Sequence, residues 1–197
     1  MKTLPPATLS PATFANFLRP DRQTRATQGN QLHQIADGVR NGSITQKEAQ
    51  GLLQQQETIA NAQRSAMADG KLDLGERFSL AIMQAQAQGN ISSARSNWDM
   101  DLFAPMDAQA QRQGAQLDQI ANGRTNNTIT NREAGQLLAQ QAEISGVLGN
   151  SDPWGKHVLA NLLQSFAETD IARHSKPGTQ FDPFRAGAAG VGGIITG

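Results

Sequence analysis

The residues with the most chemistry to offer lie in short polar turns. The first reads DGVRNGSITQKE and spans residues 37–48. A twelve-residue calcium loop asks for oxygen ligands at positions 1, 3, 5, 9 and 12, a glycine at 6 and a carbonyl at 7. Asp37, Asn41, Gly42, Thr45 and Glu48 meet positions 1, 5, 6, 9 and 12 of that outline, while Val39 at position 3 has no ligand to give. Residues 65–76 repeat the outline, with Asp69, Gly70, Asp73 and Glu76 at positions 5, 6, 9 and 12. This second turn has the most carboxylates and is the better candidate for a metal. A third version, Asn122 to Glu133, keeps one carboxylate and places Arg124 at position 3. So few carboxylates imply weak calcium affinity, roughly 10⁻⁴–10⁻³ M.

The same residues serve a second purpose without any metal. Thr45 with Glu48, Asp73 with Glu76 and Thr130 with Glu133 have capping-box spacing. In a capping box the first side chain accepts from the new helix, and the acidic residue three positions on reaches back. Ile44, Leu72 and Ile129 precede these caps and suit hydrophobic staples. Gly42, Gly70 and Asn127 suit the left-handed residue that ends the preceding helix. Capping explains more of the pattern, because it survives the missing ligand at position 3.

The elements around these turns come from a repeat. Residues 28–59 (QGNQLHQIADGVRNGSITQKEAQGLLQQQETI) recur as residues 113–144 (QGAQLDQIANGRTNNTITNREAGQLLAQQAEI), a gapless register shift of 85 with more than half the positions identical. We read this as an internal duplication. Leu32, Ile35, Ala36 and Val39 have helical spacing, as do Leu52, Leu53, Gln56, Ile59 and Ala60. A third helix per unit follows, with Phe78, Ile82, Met83, Ile91, Ala94 and Trp98 expected inward in the first and Val158, Leu159, Leu162, Leu163, Phe166 and Ile171 carried by the second. The ADG turn at 68–70 has no counterpart in the second unit. The expected class is therefore all-α: two tandem related helical units of about three helices each. The boundaries are an arm over 1–21 with a short helix at 11–18, unit one over 22–104, unit two over 105–176, and a glycine-rich flexible tail over 177–197.

The pattern G-x-[IL]-T-x-x-E-A, with A-D-G-x-L-x-x-x-E-R about twenty residues on, is carried by residues 42–49 and 68–77. It resembles a group of small bacterial proteins, mostly exported and without assigned activity, built from helix–turn–helix units with degenerate EF-hand-like turns. The similarity covers roughly residues 28–97, and its first half recurs over 113–144. The resemblance implies helical units and export, and no reaction.

Composition closes off several other functions. Cysteine is absent, which removes disulfides, thiolate metal sites and cysteine catalysis. Lys+Arg and Asp+Glu are both 17, so no charge excess draws the chain to nucleic acid. No apolar run has transmembrane length, and the opening MKTLPPATLSPATF does not read as an intact signal peptide. His33, His157 and His174 are scattered and form no zinc or triad motif. His33 has Asp118 as its repeat counterpart, which suits a solvated or interface position. The expectation is a non-enzymatic interaction or structural protein, whose Gln-rich helix faces bind a protein partner or another copy. The alternative is a weak, calcium-responsive EF-hand-like module.

Overall fold

Each turn flagged in the sequence stops one helix and starts the next. In the computed structural model, which describes residues 20–149 and 156–175, α1 (Pro20–Asn41) is followed by α2 (Gln46–Ala66) and α3 (Leu74–Ser96). A short 3₁₀ turn at Ala104–Met106 leads into α4 (Ala108–Thr125), α5 (Asn131–Gly149) and α6 (Lys156–His174). No strand occurs among the described residues, and the chain is all-α. No helix among them is long and apolar enough to cross a membrane. The expected arm helix at 11–18 and the tail at 177–197 lie outside the described residues.

The most extensive packing is between helices of different halves: α1 lies against α4 and α2 against α5. One hydrophobic cluster runs through both, from Leu32, Ile35 and Leu53 to Leu117, Ile120 and Leu138. The contacts recur with the register shift. A Cβ on Gly29 would fall 3.0 Å from the Ala121 carbonyl oxygen, and one on Gly114 would fall 3.1 Å from that of Ala36. Those are equivalent positions with the halves exchanged. Where α1 crosses α4, His33 Nδ1 lies 2.6 Å from Asp118 Oδ1. These two residues are also register equivalents, so the crossing is centred on them, as on the axis of an isologous pair. The other Asp118 oxygen accepts from Arg40, which also bonds Asp37. Burial works against the Arg40 charge, but Asp118 and Asp37 outweigh it and hold its pKa above the usual value.

Glutamines join the helices inside each half. Gln28 Nε2 donates to the Gln56 carbonyl at 2.8 Å, and Gln113 Nε2 to the Gln141 carbonyl at 3.2 Å. Gln31 reaches the Gln84 carbonyl of α3 at 2.8 Å, and Gln116 reaches the Gln164 carbonyl of α6 at 3.0 Å. Gln56 and Gln141 donate back to the Gln31 and Gln116 side chains, both at 3.0 Å. Nine glutamines among the described residues are buried and work inside the fold, while others, such as Gln54, Gln119 and Gln136, are exposed. Alanine-rich helices leave gaps that a long amide side chain can span, and a buried amide is tolerated when its N–H groups are bonded.

The third helices differ from expectation in orientation. Leu80, Ala87, Ile91 and Ala94 of α3 are buried, but Phe78, Ile82 and Trp98 are exposed. Helical spacing puts residues on one stripe and says nothing about which stripe finds a neighbour.

The close α1–α4 approach gives a paired prediction. Gly114→Ala should destabilise the protein by about 1–3 kcal/mol through overlap with Arg40 and the Ala36 carbonyl. Gly51→Ala, on the exposed side of α2 with open space around it, should stabilise by about 0.5–1 kcal/mol through helix propensity. Urea unfolding of both variants checks the sign of each.

Candidate functional site

The predicted ligands are each held by local bonds. Asp37 Oδ1 accepts from Arg40 at 2.6 Å, and Asn41 Oδ1 accepts from the Ser43 amide at 2.9 Å. Thr45 is the N-cap of α2, and both bonds of its capping box with Glu48 are present. The second Glu48 oxygen takes a bond from Asn97, just past α3. Glu133 divides itself in the same way. One oxygen accepts from the Thr130 amide at 2.8 Å, and the other lies 3.1 Å from His174 Nδ1 at the end of α6. These glutamates pin a helix start to a distant helix end.

The Asp69–Glu76 turn follows the same logic. Asp73 caps α3, and its capping box with Glu76 is complete. Asp69 Oδ1 accepts from the Lys71 amide at 3.0 Å. Arg77 Nε closes the turn onto the Leu72 carbonyl at 2.9 Å. Gly42, Gly70 and Asn127 have φ of 77°, 81° and 61°, the left-handed region that ends a helix. Ile44, Leu72 and Ile129 are buried. The structure therefore brings together Thr45 with Glu48 and Asp73 with Glu76, but does not turn Asp37, Asn41 or Asp69 toward them. Among the described residues no three histidine or carboxylate side chains converge as a metal site.

Two other features draw attention. The first is apolar surface. Leu74, Phe78 and Ile82 of α3 are 78 %, 69 % and 43 % exposed, one stripe at four-residue spacing. On α6, Val158, Leu162 and Phe166 form a stripe with the same spacing and are at least half exposed. Monomeric proteins rarely leave contiguous apolar surface of this kind without use.

The second is a cavity of about 900 Å³ between the start of α1, the α2–α3 turn and the end of α4. Asp21, Arg22 and Arg25 line it from α1, Met67 through Asp73 from the turn, and Arg124 through Asn127 from α4. Arg124 is fully buried. It donates to Gln28 Oε1 and Gln63 Oε1, both at 2.8 Å, and to the Ile129 carbonyl at 3.2 Å. Burial, helped by the Arg25 charge, lowers its pKa to about 9, with Asp21 acting in the opposite direction. In the sequence Arg124 stands out only as a residue that cannot ligate at position 3 of the third turn. The available signal was its register counterpart, Val39, a residue of the apolar stripe of α1.

The capping role can be measured. Asp73→Ala should cost about 1 kcal/mol in urea unfolding, equally in EDTA and in millimolar calcium. A cost that appears only with calcium present would give the turn a metal. In comparisons with known proteins, no family model, curated protein or solved structure matches the chain.

Proposed function

We propose that the protein works by binding protein rather than by catalysing a reaction, and that the contact is made by the outward faces of α3 and α6. The observation that carries this reading is the pair of exposed apolar stripes, Leu74–Phe78–Ile82 on α3 and Val158–Leu162–Phe166 on α6, which overlap in register at Phe78–Ile82 and Val158–Leu162. Both helices are already anchored on their other face. Ile91 and Ala87 bury α3, while Ala160, Ala167 and Ile171 bury α6. The stripes are therefore not needed for the fold. Phe78 and Phe166 supply aromatic anchors of the kind that dominate binding energy at protein interfaces. Two stripes on one molecule favour a partner that offers two apolar faces, and a second copy of this chain meets that requirement.

Phe78→Glu combined with Leu162→Glu should weaken association by about tenfold or more, read by static light scattering across a dilution series and by cross-linking. Melting of the variant should stay close to wild type, since exposed substitutions away from caps and cores change stability by about 0.5 kcal/mol or less. A wild-type protein that stays monomeric at high concentration and captures no protein through these faces would remove the reading.

A further inference from the structure

Several differences between the two halves converge on the cavity beside Arg124. Val39 is the register counterpart of Arg124, and Leu148 that of Gln63. Both are buried apolar residues. Ala110 of α4 stands where α1 has Arg25. The ADG turn that forms one wall is absent from the second half. At one end, then, the fold buries valine and leucine at these positions. At the other it buries a guanidinium and leaves space beside it. Burying a cation is costly unless an anion compensates, and the opposite end shows that this architecture has no need of one.

The charges around the cavity are unequal. Arg22, Arg25, Lys71, Arg77 and Arg124 line it against Asp21, Asp69 and Asp73. The carboxylates are committed: Asp21 to Arg25 and Gln63, Asp69 to the Lys71 amide, Asp73 to the cap of α3. Arg124 has neutral partners only, and its three bonds use three of the five N–H groups of a guanidinium. Arg25 Nε is buried and has no hydrogen-bond partner. Both guanidinium groups thus keep N–H groups without a partner behind the wall of a volume that suits a small molecule, with Arg22 and Lys71 at its open side.

We propose that this cavity binds a small organic anion bearing phosphate or carboxylate groups, held by Arg124 and Arg25 at its base and by Arg22 and Lys71 at its rim. The anion adds to the opposite charge that Asp21 brings to Arg124. It also ties the ADG turn to α1 and α4, two elements of different halves. The site is independent of the apolar stripes, so either reading can fail without the other.

The test is thermal unfolding of the full chain in sodium phosphate, sodium citrate and sodium chloride at matched ionic strength. Phosphate or citrate should raise the melting temperature by about 4 °C over chloride at ten times its dissociation constant. Whichever acts at lower concentration identifies the phosphate or the carboxylate class. Arg124→Val with Gln63→Leu copies the opposite end of the molecule. It should melt higher than wild type in chloride and lose the response. If that variant does not fold, Arg22→Gln with Lys71→Gln leaves the interior intact and should weaken the apparent affinity about threefold, a loss of rim charge in partly solvated surroundings. Identical melting of the wild type in all three salts overturns the proposal. So does an equal rise in wild type and rim variant, which is the general effect of excluded salts on folded proteins.

Discussion

Two helix crossings, α1 on α4 and α2 on α5, carry the tertiary structure, and both depend on backbones coming close. At the first, Gly29 faces the Ala121 carbonyl and Gly114 the Ala36 carbonyl, so any side chain there would push the helices apart. At the second, Gly135 lies under Asn61 and Gly146 under Gln50. By register Gly135 is the counterpart of Gln50, and Gly146 that of Asn61. Each contact therefore pairs one long polar side chain with one glycine. Two identical halves would meet with long against long or gap against gap. The halves differ at these positions so that each contact fits, and His33 opposite Asp118 at the first crossing is the same complementarity in charge.

Close crossings made by small residues leave little apolar volume for the core. Glutamine takes up the remainder, clamping mid-helix carbonyls in both halves with the same donors. A buried amide contributes less than a packed leucine, but its bond is directional and fixes which helix sits beside which. Spending glutamine inside has a consequence outside. The larger apolar side chains of α3 and α6 are only partly used in the core, and the unused stripes give the molecule its most distinctive surface.

Departures from the repeat cluster by role. Positions that cap helices or close turns are shared: Thr45 and Thr130, Glu48 and Glu133, Gly38 and Gly123 under Ile44 and Ile129. Some positions at the cavity are not shared: Arg124 has Val39 as its register counterpart, Arg25 has Ala110 and Gln63 has Leu148, polar or charged where the other half is apolar. A constraint common to both halves points to folding. A costly change confined to one half, with its neighbours changing alongside it, points to use.

Helix content, the helix starts at Thr45, Asp73 and Thr130, and the left-handed residues Gly42 and Asn127 were legible in the sequence, because each depends on bonds between residues a few positions apart. The same locality explains why the acidic turns read equally as metal loops or as caps until the direction of the Glu48 and Glu76 side chains was known. Tertiary packing decided the rest. It set which stripe of α3 faces in, since Phe78 and Ile91 differ only in what lies opposite. It turned the glutamines inward, because only neighbouring helices supply the carbonyls they reach. It also placed Arg124 beside Arg25, ninety-nine positions away in the chain, where burial and a second charge alter a guanidinium in ways no local spacing records.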